Sequence, residues 1–413
     1  MRLLFVHEVD WVNKVKYEIH ELPELLSLRG FEVDFIDFPE DSQTRNRFAT
    51  FRLRLITRRI RSHTYLGSQV QVVSPGRILL SPFDRLLATV TFLPVLLKMI
   101  WRRKYDAIIL YSVPTNGWQT VLVARLMGIP VIFRALDVSH LIRKTRMKRL
   151  VLLAERFIYR RANWLSANNA ALLEYCVGNG ADPEKSSVNY PGLELAHFRP
   201  SGRSHILRES LDVSGEDKVM IFLGTLFNFC GLDRIISDFA EPDVRDLKVK
   251  LVILGDGEFK HELQKLAKSL NLEPKVKFVG RVDFSQIGDY LSCADVAVMP
   301  FKSETVAEMA LPWKVVQYVA AGLPVVASPL KGLRSAFPPG HGIQYLSQYE
   351  NAVKTMYDLS HNHELVDQLV EYGQQIVQSK FLWESNIVEF EGLIRGVVRE
   401  FAVKQQRRLL PRR

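Results

Sequence analysis

The feature that most limits what this chain can fold into is a rhythm. Short apolar runs alternate with helical stretches, and the alternation occurs twice along the chain. In the first half, Arg2–His7 is followed by a helical pattern through Ser27, a stop at Arg29–Gly30 and a second run at Glu32–Phe38. Ala107–Tyr111, Pro130–Arg134 and Trp164–Ala167 continue the series. In the second half the runs are Lys218–Gly224, Lys250–Gly255, Lys275–Gly280, Val296–Pro300 and Pro324–Ser328. Strands that alternate with helices imply parallel sheets covered on both faces. A chain of 413 residues is too long for one core. The polar stretch Pro200–Asp217, with Pro200, Ser201, Gly202 and Ser214–Gly215, has the composition of a linker. The expected fold is therefore α/β, with two Rossmann-like doubly wound domains facing across a cleft. Ligands of such sheets bind outside the carboxyl ends of the strands.

Composition removes other classes. The three cysteines, Cys176, Cys230 and Cys293, are far apart and form no Cys-x-x-Cys pair. That argues against a disulfide framework and against a structural zinc site, and it fits a reducing, cytosolic compartment. Met1–His7 reads as a buried first strand and not as a leader. The most lipid-like stretch, Leu86 to Trp101, is broken by Pro94 and Lys98 and is shorter than the ~20 residues a span needs. Net charge is uneven. Positions 51–150 hold 18 Lys/Arg against 3 Asp/Glu, while the rest of the chain is slightly acidic. The cations cluster at Arg52, Arg54, Arg58, Arg59 and Arg61, at Lys98, Arg102, Arg103 and Lys104, and at Arg143, Lys144, Arg146, Lys148 and Arg149. Two clusters flank apolar helical sequence, the pattern of an interfacial helix on anionic lipid. A solvated basic face and a nucleic-acid surface share that charge pattern. No aromatic-interleaved nucleic-acid module accompanies it, so no nucleic-acid partner is expected.

The most specific segments lie in the second half. Leu251-Val252-Ile253-Leu254-Gly255-Asp256-Gly257 is a strand ending in a glycine turn, as is Val276-Lys277-Phe278-Val279-Gly280-Arg281-Val282. Ala294-Asp295-Val296-Ala297-Val298-Met299-Pro300-Phe301 follows, and then Leu311-Pro312-Trp313-Lys314 leading to Gly322-Leu323-Pro324-Val325-Val326-Ala327-Ser328. In this order and spacing they resemble the donor domain of glycosyltransferase family 4, retaining enzymes of the GT-B fold that use nucleotide sugars. Gly128-Ile129-Pro130-Val131, Asp137, Glu155-Arg156-Phe157 and Pro191-Gly192-Leu193-Glu194 resemble that family's acceptor domain. Phe381-Leu382-Trp383-Glu384 resembles the start of its last helix.

The resemblance implies an acceptor domain over 1–200, basic and membrane-facing, a donor domain over 201–382, and a helix over 383–413 that crosses back and ends in a basic tail. It implies that Gly224, Thr225, Gly255, Pro300, Glu308, Met309, Ala310 and Leu311 surround the donor, and that Gly280, Arg281 and Val282 hold the base. Pro312 suits the first turn of a helix continuing to Ala321, whose N-terminus can hold a diphosphate. Lys314 adds a full charge there, and Gln317 stands where relatives grip the ribose. Asp137 would face the transferred sugar, with His140 a second acid or base and Tyr17 a further acceptor-side residue. Asp137 could equally cap the helix that follows it, and Gln317 could face solvent. The donor substrate would be a nucleoside diphosphate sugar, with neither metal nor other cofactor. The acceptor would be a lipid-linked or glycan precursor. Localisation would be cytoplasmic, peripheral to the inner membrane face.

The chain departs from the family pattern at several places. Met309 and Gln317 replace the paired glutamates, with Glu308 one residue off. Thr225 and Cys230 replace an arginine and a lysine, and Leu136 replaces a histidine. Glu8-Val9-Asp10-Trp11 stands in place of a glycine-rich loop. A partner subunit without activity and a nucleotide-sugar epimerase are the rival readings.

Overall fold

The computed structural model describes residues 1–14, 16–38, 51–52, 56–60, 64–78, 84–142, 147–198, 205–303, 305–347 and 350–409. Arg54, Arg61, Arg143, Lys144, Arg146, Pro200, Ser201 and Gly202, singled out above, lie outside them. The chain forms two compact units. One comprises Met1–Pro191 with Glu384–Arg413, and the other Gly192–Trp383.

The first unit contains β1 (Arg2–Val6), β2 (Glu32–Ile36), β3 (Phe51–Arg52), β4 (Ile56–Ile60), β5 (Val70–Ser74), β6 (Arg77–Ile78), β7 (Ala107–Leu110), β8 (Val131–Ala135), β9 (Trp164–Ala167) and β10 (Ser186–Val188). Its main sheet runs β10-β9-β8-β7-β1-β2-β5-β4, and β3 pairs separately with β6. The main sheet is parallel except where β4 returns antiparallel to β5. Leu3, Leu4, Phe5 and Val6, like every residue of β7, are fully buried, as a strand covered on both faces requires. The alternation argument misses six strands, β3, β4, β5, β6 and β10 here and Ile343–Tyr345 in the second unit; the longest of these are β4 and β5. They form a hairpin at the sheet edge, and Arg58 and Arg59 therefore lie on a strand and not beside a helix.

Buried charge braces this unit. Arg134 on β8 makes a bidentate contact with Glu18, Nε and Nη2 each donating at 2.7 Å, and Nη1 donates to Asn189 O at 2.7 Å. Tyr111 donates to the same Glu18 at 3.1 Å. Asp34 on β2 accepts from Arg103 at 2.9 Å and from Tyr105 at 2.5 Å. That contact pins the end of helix Asp84–Arg103 to the sheet. The Leu86–Trp101 stretch lies in this helix, and no helix among the described residues is long and apolar enough to cross a membrane.

The second unit contains β11 (Lys218–Leu223), β12 (Val249–Leu254), β13 (Val276–Gly280), β14 (Val296–Met299), β15 (Val325–Ala327) and β16 (Ile343–Tyr345). Their order is β13-β12-β11-β14-β15-β16, all parallel. This is the doubly wound order in which the chain winds outward in both directions from the first strand. The reversal falls between β11 and β14, so a crevice opens there at the carboxyl ends.

Glycines make those ends possible. Gly224 (φ 139°), Gly255 (φ 140°) and Gly280 (φ 89°) end three neighbouring strands in backbone conformations that side chains rarely adopt. A Cβ on Gly255 would overlap the carbonyl oxygen of Gly224. Gly255 N donates to Gly280 O at 2.6 Å, which ties the three ends together. Gly255→Ala combines backbone strain with overlap against main chain. It should cost about 3 kcal/mol or more of stability, read as a lower urea midpoint. An unchanged midpoint would show that this edge yields freely.

Candidate functional site

The crevice of the second unit is built by the end of β11, the end of β14 and the helix Trp313–Ala320. Beyond Ile221, β14 no longer pairs with β11. There Leu223 N donates instead to Tyr318 Oη at 2.6 Å. Tyr318 is fully buried, so this bond fixes the helix against the crevice. Pro312 occupies the cap position, and the helix runs from Trp313 to Ala320. The expected helix, with Pro312 in its first turn and continuing to Ala321, is thus found to within one residue at each end. A proline one position before the first turn still sacrifices no helical hydrogen bond.

The fixed helix carries Lys314 in its first turn. Lys314 Nζ lies 4.6 Å from the Phe222 ring centre and 4.8 Å from that of Phe301. A Cβ on Gly224 would overlap it. Lys314 has no hydrogen bond or salt bridge among the described residues. The nearby Lys302 is different, since it pairs with Asp233 at 2.7 Å. The Lys314 side chain is half-buried, with its ammonium set among the Phe222 and Phe301 rings and Gly224. That enclosure pushes its pKa down to about 8. An enclosed, unpaired ammonium beside free helix amides is a ready anion site.

The structure gathers part of the expected donor set around it. Gly224 touches Lys314, and Gly231 packs against the carbonyl of Pro300. Thr225 is exposed on the loop, whereas Cys230 is buried. Met309 and Ala310 present their carbonyls to Gly332. Leu311 is buried. Glu308 accepts from Ser303 Oγ at 2.9 Å. Gln317 is buried, which corrects the alternative that it faces solvent. Gly280 and Arg281 sit at the end of β13, two strands out from β11, where Arg281 is largely exposed and 3.9 Å from Asp256. Val282 follows in a half-buried loop.

The first unit carries its own recess at the carboxyl ends of β1, β7 and β8. It is a cavity of about 320 Å³ bordered by His7, Glu8, Tyr17, Ser112, Arg134 and Asp137, among others. Glu8 is buried and accepts from Thr115 N at 2.7 Å, giving this edge a fixed charge. Arg134 forms part of the floor, with its guanidinium committed to Glu18. Tyr17 stands at the cap of the helix Glu18–Leu28 and not on it. Asp137 follows β8 at the mouth. Its side chain is solvent-exposed, and the protein around the carboxyl raises its pKa above the usual carboxylate range. It does not cap the following helix. Glu155 takes that role, accepting from His140 N at 3.0 Å. The same buried carboxylate holds His140 Nδ1 at 2.8 Å, which orients the ring but keeps His140 off the cavity wall.

Two Rossmann-like units, each ending in a glycine- or carboxylate-lined crevice, define a two-unit α/β protein built to hold small polar ligands at its strand ends. Positions 204–376 match the family described as Glycosyl transferases group 1, and 18–192 match the Glycosyl transferase 4-like domain. The chain belongs to the group 1 glycosyltransferases, and its fold is GT-B. The "D-inositol 3-phosphate glycosyltransferase 2" of Catenulispora acidiphila is 30% identical over 223 residues, 50% of this chain and 49% of that protein. The chain thus spans about half the length of the curated relatives it matches. Sucrose-phosphate synthase from Thermosynechococcus elongatus superposes with a TM-score of 0.77 at 17% identity, covering 97% of this chain and 99% of that one. Anabaena HepE, solved in complex with UDP and glucose, gives 0.67 at 16%, covering 98% and 99%.

Lys314 yields a prediction with a sign. Below about pH 8 the ammonium is charged and attracts a diphosphate; above it the charge is lost. Affinity for a nucleoside diphosphate should therefore be flat at neutral pH and fall as pH rises past 8. Lys314→Met should bind about tenfold or more weakly at neutral pH and show no such fall. Titration calorimetry across the pH range checks both, and a Met variant that keeps the fall would remove Lys314 from the site.

Proposed function

We propose that the chain is a retaining, metal-independent glycosyltransferase. It moves a sugar from a nucleoside diphosphate sugar to a lipid-linked or glycan acceptor at a cytosolic membrane face. The observation that carries this is the unpaired Lys314 ammonium held against Gly224 at the switch point of the second sheet. A diphosphate placed there meets one full charge and the free amides of a helix start. Developing charge on the leaving diphosphate would be met by the same groups. The recess in the first unit, with Tyr17 at its side and Asp137 at its mouth, is the acceptor candidate. A carboxyl raised from the usual range, at the mouth of the recess, is placed to exchange a proton with an acceptor hydroxyl. Retention is read as a same-face reaction in which the leaving diphosphate helps to deprotonate the acceptor hydroxyl.

The membrane part rests on a surface of the first unit. Helix Asp84–Arg103 buries Phe92, Leu96 and Ile100 against the sheet and exposes Val90, Leu97 and Trp101 on another side, Trp101 at 76%. Gln119 Nε2 donates to Thr89 O at 2.9 Å, joining it to helix Gly117–Met127, which exposes Trp118, Leu122 and Leu126. Helix Lys148–Arg161 adds Leu150 and Leu153. Right-handed crossovers place all three helices on one face of the sheet. Lys98, Arg102, Arg125, Arg149 and Arg156 are exposed among these apolar residues. The one acidic residue on these helices with a described side chain, Glu155, is buried. Apolar anchors among cations with no exposed acid fit an anionic bilayer.

Two measurements follow. A thermal-shift screen against UDP, GDP, ADP, TDP and CMP should give a clear rise with one diphosphate, about 2.7 kcal/mol at roughly 100 times its dissociation constant. No shift with any of them would favour a subunit without activity. Flotation on anionic vesicles should recover the protein at low salt and lose much of it at high salt. Leu97→Ser with Trp101→Ser should reduce recovery even at low salt, and full recovery by that variant would sink the docking face.

A further inference from the structure

The first unit holds a second cavity, of about 220 Å³, at the opposite end of its sheet. It is bordered by Arg125, Arg161, Asn163, Phe401, Lys404 and Gln405, among others. Val131, the first residue of β8, also lines it, and Asn163 immediately precedes β9. The cavity therefore sits at the amino ends of these strands, whereas Asp137 lies beyond the carboxyl end of β8. It is separate from the recess assigned to the acceptor.

Its polar groups are arranged as donors. Neither Arg125 nor Arg161 has a hydrogen bond or ion pair among the described residues. Asn163 Oδ1 accepts from Val131 N at 2.9 Å, which turns its amide nitrogen away from that bond and leaves it without a partner. Gln405 Nε2 donates to Gly128 O at 3.0 Å and holds the C-terminal helix Trp383–Leu409 to this edge. Lys404 pairs with Glu400. Val121, Ile129 and Phe401 supply apolar wall.

A plainer account of the arginines must be weighed. Arg125 lies in the last turn of helix Gly117–Met127, and Arg161 ends helix Lys148–Arg161. Cations are stabilised at helix C-termini. In that role a side chain reaches back to the final carbonyls, and neither guanidinium makes such a bond. The charge balance also favours an anion. Three cations, less Glu400 and about half a negative charge from each helix end, leave roughly one positive charge. Two planar guanidinium forks and a free amide NH₂ match the oxygens of a tetrahedral oxyanion.

The geometry points to a phosphate-binding site here, taking a phosphate monoester through Arg125, Arg161 and Asn163. The cavity is smaller than the roughly 300 Å³ usual for a whole ligand, so it holds a phosphate and little more. That phosphate has two possible sources. It can be a soluble metabolite, or a lipid headgroup whose chains lie along the exposed Leu122, Leu126 and Met127 of the helix that carries Arg125.

The test is made in the Lys314→Met protein, so that the proposed diphosphate site does not contribute. One arm titrates inorganic phosphate and glycerol 3-phosphate by calorimetry against chloride at equal ionic strength. The other measures binding to phosphatidylcholine vesicles with and without phosphatidic acid. Arg125→Gln with Arg161→Gln should weaken phosphate binding by about tenfold or more. The unliganded melting temperature should hold, since neither side chain makes a hydrogen bond or ion pair among the described residues. Arg149→Gln with Arg156→Gln removes the same charge outside the cavity and should leave the calorimetric binding of inorganic phosphate and glycerol 3-phosphate unchanged, while in the vesicle arm it gives the loss due to the docking face alone. Loss in the soluble arm alone assigns a soluble metabolite. Loss on phosphatidic acid vesicles beyond that of the Arg149/Arg156 control assigns a lipid headgroup. Equal binding by the Arg125/Arg161 variant and its parent in both arms overturns the site. That outcome would leave the donor reading intact, because the donor reading is judged by the diphosphate shift of the unaltered protein.

Discussion

The second unit depends on one close approach, that of the Gly255 backbone to the carbonyl of Gly224. Parallel strands end together on one side of a sheet, and a ligand can reach that side only if the ends turn away without side chains in the path. Here three adjacent ends do so at glycines, and each turn leans on the next. Gly224 bears a second constraint, since Lys314 occupies the space its side chain would need. The turn at the end of β11 thus shapes the crevice and seats the charge inside it. Tyr318 completes the arrangement by taking the amide of Leu223 where β14 has parted from β11.

Much of this was legible in the sequence. The alternation of apolar runs and helical stretches gave ten of the strands to within about two residues, the usual uncertainty of element ends. It missed β3, β6, β10 and β16 because runs of two or three residues leave no periodic signal, and β4 and β5 because an edge hairpin carries mixed polar sequence such as Ile56-Thr57-Arg58-Arg59-Ile60. Gly224, Gly255 and Gly280 stood out because glycine at a strand end has few other uses. Tyr318 and Arg134 did not, for a physical reason. A tyrosine inside an apolar helix and an arginine at the end of an apolar strand look like ordinary variation. Their roles exist only once Leu223 and Glu18, distant in the chain, are brought beside them. Asp137 was found by its place after a strand, but the helix-capping alternative could be settled only by seeing Glu155 take the amide.

Charge counting needs the same correction. The excess of cations over 51–150 is a sum over residues with different duties. Arg134 is committed to Glu18, and Arg103 is committed to Asp34. Both brace the fold and contribute little to the field outside, because each is neutralised at short range. Lys98, Arg102, Arg125 and Arg149 are exposed, and it is these that lie beside exposed leucine and tryptophan. The surface argument therefore rests on a subset of the charges and is stronger for it. A solvated basic face has no use for Trp101 in water, whereas an interfacial helix does.

The departures from the family pattern read differently in space than in sequence. Thr225 and Cys230 stand where relatives have cations, and a count along that loop finds the charge missing. Cys230 is buried, and burial raises its thiol pKa, so it supplies no charge of its own. But Lys314 approaches the same loop from the facing helix and is close enough for its charge to bear on Cys230. One cation delivered from the helix to the end of β11 does not reproduce two on the loop. It does place a charge at the switch point, with a titration near neutrality that an arginine would lack. A lysine lowered toward 8 differs physically from an arginine, because its charge is tunable by whatever alters the burial of that one ammonium.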